Sequence, residues 1–121
     1  MDLVVTLPQK IEWADYQVEL DAVADWKGVL RYRVARLPPV VPYDRCFIVW
    51  RGFVRGWMSM LTAKWCAGFQ CSITDKWWPA GNYIMRTGPF HQIEPIPMRG
   101  FPGWRPWNNG RKETCLTLCS S

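Results

Sequence analysis

From Arg86 to Trp107 the sequence reads RTGPFHQIEPIPMRGFPGWRPW, and no other stretch constrains the fold so strongly. Prolines at 89, 95, 97, 102 and 106 and glycines at 88, 100 and 103 forbid a continuous helix, because proline lacks the backbone donor and glycine loses too much freedom on folding. The expectation is a shaped, largely irregular run held by aromatic anchors, the usual form of a binding loop or lid. The segment also carries the chain's only histidine, His91, together with Arg86, Arg99, Arg105, Trp104 and Trp107. Nothing in it spells a reaction.

Upstream, Val4 to Thr6 is a short apolar run, and Thr6-Leu7-Pro8-Gln9 matches a capping box with proline in the first turn, so a helix is expected to begin here. Trp13, Tyr16, Leu20 and Val23 then recur at helical spacing, with Glu12, Asp15 and Glu19 on another face as the expected solvent side. Gly28 fits a terminator. Val29 to Leu37 alternates Leu30, Tyr32 and Val34 with Arg31 and Arg33, the period of a half-buried strand. Pro38, Pro39 and Pro42 make an extended connector. Arg45 to Trp50 (RCFIVW) is apolar on both faces, as in a central strand. Arg51-Gly52 is a two-residue hairpin turn, Phe53 to Met60 is the returning strand, and Gly56 within it predicts a bulge or a close backbone approach. Gly68 to Thr74 and Asn82 to Thr87 are further strands, with DKWWPAG as the turn between them; at most one of Trp77 and Trp78 is expected to point fully inward.

One helix followed by five to seven short strands, separated by glycine and proline turns, predicts an α+β protein. Its sheet is expected to be small, curved and mostly antiparallel, or a partly open barrel. Residues 1–107 are expected to form a single domain, and residues 108–121 a tail whose TCLTLC alternation could add an edge strand. No GxGxxG or P-loop motif is present. The chain begins MDLVV, with no basic leader, and no segment nears the roughly 20 apolar residues that cross a bilayer. The expectation is a cytoplasmic protein with no membrane partner.

Charge is polarised along the chain. Residues 1–25 carry six acids and one lysine, whereas residues 27–64 carry eight basic residues and only Asp44 as an acid, within a net charge of +5. Such a pattern suits a basic face for a polyanion. The nine tryptophans exceed what one core of 121 residues absorbs, so several are expected at a surface where something binds. Arginines neutralise phosphates while flat rings stack unpaired bases, a combination suited to single-stranded nucleic acid. On that reading Arg86, His91, Arg99, Arg105, Trp78, Trp104 and Trp107 are the binding residues. Scattered solvent-facing arginines and core tryptophans explain the same residues more simply.

Three further chemistries are open. A pocket lined by Trp50, Trp57, Tyr83, Met58, Met60 and Met85 and capped by the proline-rich segment would hold a small molecule, although the same residues equally describe a solid core. His91, the sole imidazole, is the one candidate for catalysis, as in a small hydrolase or nuclease. The five cysteines form no framework: Cys66-x4-Cys71 and Cys115-x3-Cys119 lack zinc-knuckle spacing, and Cys46 sits in an apolar run. No metal or cofactor is therefore expected. Surplus tryptophans and a tail edge strand would serve a homodimer as well as a ligand, so monomer and homodimer both stand.

Residues 45–58 (RCFIVWRGFVRGWM) and 78–107 resemble short proteins carried on bacterial mobile DNA, including integron gene cassettes and phage-like elements. The order of helix, strand and strand-turn-strand with glycine in the second strand is similar to the PUA-like barrels, the group that contains ASCH domains. That resemblance implies RNA binding, or in some members nuclease or amidohydrolase activity. The chain has no G-x-K-x-x-E-x-R run, so no functional residue of the ASCH group carries over. The expected protein is a binding module and not an enzyme, with single-stranded nucleic acid as ligand and a small molecule as the alternative.

Overall fold

A computed structural model describes residues 2–24, 28–42, 44–71 and 75–107. The chain opens not with a helix but with a strand, β1 (Leu3–Thr6), and only then enters α1 (Trp13–Ala22). Six strands form one sheet: β1, β2 (Leu30–Val34), β3 (Arg45–Trp50), β4 (Phe53–Cys66), β7 (Gly81–Pro97) and β8 (Trp104–Pro106). Their order is β2-β7-β4-β3-β1-β8, curling into a half-barrel. A two-stranded ribbon of β5 (Phe69–Gln70) and β6 (Trp77–Trp78) stands apart. The α+β class and the small curved sheet expected from the sequence are both present.

The capping box does not form. Thr6 ends β1 opposite Val49, its hydroxyl accepts a hydrogen bond from the Phe101 backbone, and the helix starts six residues later at an N-cap, Glu12, that makes no side-chain cap. The apolar run Leu3-Val4-Val5 wins because β1 lies parallel to β3 and is buried on both faces. Among the described residues this parallel pair is the one departure from antiparallel order in the sheet.

Alternation along these strands separates two cores. Leu3, Val5, Cys46 and Ile48 face α1 and pack with Tyr16, Leu20 and Val23, while Val4, Phe47 and Val49 face the opposite side with Ile93, Ile96 and Phe101. Trp13 and Trp50 join the first core as half-buried rings 5.5 Å apart.

Arg51 and Gly52 both take positive φ, 49° and 85°, and form the expected hairpin turn. Gly56 fulfils both readings of its glycine. The β3–β4 and β4–β7 registers shift beside it, and a Cβ there would collide with the His91 carbonyl and the Phe90 ring.

The largest correction concerns the proline-rich segment. Its first half is not irregular: β7 runs unbroken for 17 residues through Pro89 and Pro95. The β4–β7 ladder explains how. Between the Trp57–His91 and Ser59–Thr87 pairs, residues 88–90 stand against Met58 alone; between Val54–Ile96 and Gly56–Gln92, residues 93–95 stand against Arg55 alone. Each interior proline therefore sits in a bulge, where no ladder donor is required. The bulges also bend β7, so one strand contributes to both cores. The tail, with its expected edge strand and Cys115 and Cys119, lies outside the described residues, as do residues 72–74 of the strand expected to end at Thr74.

Candidate functional site

Arg86 is the anomaly of the structure. It lies in the middle of β7, across from Leu30 on one side and Met60 on the other, in a run from Tyr83 to Gly88 that is buried throughout. Only 2% of the residue is exposed, and its Nε and Nη1 are buried without a hydrogen-bond partner. No ion pair involves it among the described residues. Burial alone would pull its pKa down, and the fields of the Tyr16 and Cys46 side chains, which act only once those groups ionise at high pH, raise it. At neutral pH both neighbours are uncharged, and the guanidinium is charged as arginine is throughout proteins. A buried, unpaired cation costs several kcal/mol after relaxation, roughly, and folds retain one only where something else is gained.

What surrounds it is a cavity of about 660 Å³ between α1, the end of β1, the edge strand β2 and the β5–β6 ribbon. Tyr16 enters from α1, and its hydroxyl is likewise buried with no partner. Burial holds the Tyr16 phenol above its ordinary pKa despite the nearby Arg86, so it remains an O–H donor at neutral pH. Tyr32 lines the wall from β2; the Arg86 guanidinium lies 5.6 Å from its ring centre, and its hydroxyl donates to the Thr6 carbonyl at 2.8 Å. Leu7, Ile11 and Leu30 add apolar wall, and Trp78 stands at the ribbon side.

The rim is held by hydrogen bonds. The Trp50 indole donates to the Ile11 carbonyl at 2.8 Å, and the Arg51 guanidinium donates to the Gln9 carbonyl at 3.1 Å, fixing the β1–α1 loop. Behind the site, the Thr87 hydroxyl donates to the Gly28 carbonyl and the Gly88 amide to the Val23 carbonyl, tying β7 to the end of α1. Arg31 also lines the cavity, with its Nε buried and unpartnered and its guanidinium 4.4 Å over the Phe69 ring. Glu19, expected on the solvent face of α1, is instead half-buried in the same lining, and burial pushes its carboxyl up against the opposing fields of Arg86 and Lys76.

Of the seven residues singled out from the sequence, only Arg86 and Trp78 meet here. His91 stacks on Trp57, with ring centres 4.0 Å apart, and burial lowers its pKa. Trp104 is buried in the helix-side core and donates its indole N–H to the Arg36 carbonyl at 2.9 Å. Trp107 stacks on Phe47 at 4.1 Å, and Arg105 lies 4.3 Å over Phe101; Arg99 is exposed. β8, which carries Trp104 and Arg105, is the opposite edge of the sheet from β2. The residues expected to line a pocket, Trp50, Trp57, Tyr83 and the methionines, do not share one space: Met58, Met60 and Tyr83 are fully buried, and Trp50 and Trp57 pack against different cores.

Sequence reasoning passed over Tyr16, Tyr32 and Glu19, and expected Arg31 on the outward face of its strand with Arg33. One signal was there: Tyr83, Ile84 and Met85 are apolar on both faces of a strand and run straight into Arg86, and a charge in a buried strand needs an explanation. Cys66 and Cys71 are half-buried and in no disulfide, and no group of three or more His, Cys, Asp or Glu gathers among the described residues. Among the same residues no helix is long and apolar enough to cross a membrane. No family model matches the chain, and no curated protein or solved structure matches it.

Proposed function

We propose that the protein is a binding module for a small organic anion, held in the cavity between α1 and β2 with its charge against Arg86. One observation carries this reading: a guanidinium, 2% exposed, lines a cavity of about 660 Å³ with two donor atoms unpartnered. An incoming carboxylate or phosphate would receive charge-assisted hydrogen bonds from that guanidinium and from the Tyr16 hydroxyl. The apolar walls suit an organic body behind the charged group, and the volume lies in the range of small-molecule sites. The curled sheet with one helix laid on it, among the described residues, supports a PUA-like reading of the fold.

Single-stranded nucleic acid remains the competing ligand. It is favoured by the exposed arginines and opposed by the dispersal of Trp104, Trp107 and Arg86 over separate parts of the fold. The experiment is calorimetric titration at low salt with 3-phenylpropanoate, its neutral isostere 3-phenylpropanamide and a short oligothymidylate. Saturable binding of the carboxylate and none of the amide is expected. Equal binding of carboxylate and amide removes the role of Arg86. Salt-sensitive binding of the oligonucleotide alone replaces this reading with the nucleic-acid one.

A further inference from the structure

We infer that the ligand of this cavity is an amino-carboxylate, a zwitterion whose carboxylate meets Arg86 and Tyr16, whose ammonium meets Glu19, and whose apolar side group lies against Leu30, Tyr32 and Trp78. The inference rests on the anion-binding reading above and adds the second charge.

Glu19 follows Tyr16 by three residues in α1, which places both on one helix face, and both line the cavity. Its carboxylate lies within the field of Arg86, which acts on its pKa. Yet the ion pairs of the described residues join Arg45 to Asp2 and Arg51 to Glu12, and neither Glu19 nor Arg86 takes part in one. Two opposite charges thus share one partly dehydrated space without closing on each other. Had the fold needed only a counterion for Arg86, a direct Glu19–Arg86 pair would supply it.

A plain anion seated on Arg86 would meet repulsion from Glu19, and a plain cation seated on Glu19 would meet repulsion from Arg86. A ligand with a carboxylate and an ammonium on one carbon satisfies both residues at once. Among the other charges of the lining, Lys10, Arg33, Glu12 and Asp15 are exposed and screened by water and salt. Lys76 is exposed as well but adds its field to that of Arg86 on Glu19, and the Arg31 guanidinium lies over Phe69 with its Nε unpartnered. The apolar wall of Leu7, Ile11 and Leu30 with the Tyr32 and Trp78 rings points to an apolar side group such as an aryl or branched alkyl group.

The test compares L-phenylalanine with 3-phenylpropanoate, which lacks the ammonium, with L-phenylalaninamide, which lacks the carboxylate, and with N-acetyl-L-phenylalanine, which presents the carboxylate as a peptide C-terminus does. Calorimetry on the intact chain is expected to show L-phenylalanine binding about tenfold or more tighter than each of the other three. Glu19→Gln should remove the advantage of L-phenylalanine, bringing it to or below the affinity of 3-phenylpropanoate, while 3-phenylpropanoate binds as tightly as before or tighter, since the substitution removes both the ammonium contact and the repulsion of a plain anion. If 3-phenylpropanoate or N-acetyl-L-phenylalanine binds the unmodified protein as tightly as L-phenylalanine, the ammonium site is overturned and the anion site stands. If no carboxylate binds, both fall. The ligand comparison uses the unmodified protein, so it decides the matter even where the Glu19→Gln variant does not fold.

Discussion

The Arg86 guanidinium lies 5.6 Å from the centre of the Tyr32 ring, and among the described residues this is its one attractive ring contact in a setting that gives Nε and Nη1 no hydrogen bond. A cation over an aromatic ring contributes about 0.5–2 kcal/mol. Dehydrating an ion costs several kcal/mol, roughly, even after relaxation. The cost wins, so Arg86 lowers the stability of the unliganded protein.

Arg86→Met should therefore raise stability by about 1–3 kcal/mol, since a shorter, flexible apolar side chain keeps the packing of the arginine stem and leaves no charge to dehydrate. The same substitution should abolish binding of 3-phenylpropanoate. Urea unfolding and calorimetry on one preparation check both. A loss of stability in Arg86→Met would mean that the guanidinium supports the fold, and the site would lose its main argument.

Gly56→Ala should destabilise by about 1–3 kcal/mol, the usual range for forced overpacking. Its Cβ meets the Phe90 ring and the His91 carbonyl, and the backbone between two bulges has little room to give. Gly52→Ala is the control: φ of 85° strains any side chain there, but nothing lies within 4 Å. Its cost of about 1 kcal/mol comes from the turn alone. Denaturant midpoints at equal slope measure both.

Gly56 and the Arg51-Gly52 turn were legible because each is a local rule: a glycine where a chain must approach, a turn pair between two apolar runs. The course of β7 was not legible. Pro89 and Pro95 read as strand breakers until the ladder shows that each falls in a bulge, and a bulge depends on the partner strand, here β4. The helix start failed for a similar reason. Thr6 has the right local chemistry for a cap, but pairing with Val49 and burial of Leu3, Val4 and Val5 outweigh it. The site itself was half legible. Arg86 stood out by type, whereas Tyr16 and Glu19 looked like ordinary core and surface positions of a helix and acquire a role only through the cavity they share.

His91 is the chain's only imidazole, so its titration can be followed without assignment. Burial against Trp57 lowers its pKa below the ordinary value of about 6.5, and NMR should place the midpoint there. A depressed histidine means that the unfolded chain binds more protons than the folded one between the folded pKa and 6.5. Stability from this group is therefore present above pH 6.5 and is lost as pH falls through that window. Trp57→Ala should return the midpoint toward 6.5 by re-exposing the ring. A midpoint at or above 6.5 in the unmodified protein would contradict the stacked geometry.

Tyr16 and Tyr32 flank the same guanidinium, but their hydroxyls differ in one respect that separates a binding group from a structural one. Tyr32 donates to the Thr6 carbonyl at 2.8 Å, so Tyr32→Phe loses a real hydrogen bond and should cost about 0.5–1.5 kcal/mol. The Tyr16 hydroxyl is buried with no partner. Its removal in Tyr16→Phe takes away only an unsatisfied polar group, and the unliganded protein should be as stable as before or more so, by about 1 kcal/mol. Binding reverses the order. Tyr16→Phe should weaken 3-phenylpropanoate by about five- to tenfold, because the carboxylate loses a donor, while Tyr32→Phe should change it by less than about threefold. Thermal unfolding and calorimetry of the two variants give a stability and an affinity for each, and the crossed pattern is the expected result. If Tyr16→Phe loses stability and leaves affinity unchanged, the hydroxyl belongs to the fold, and Arg86 would hold any bound anion without it.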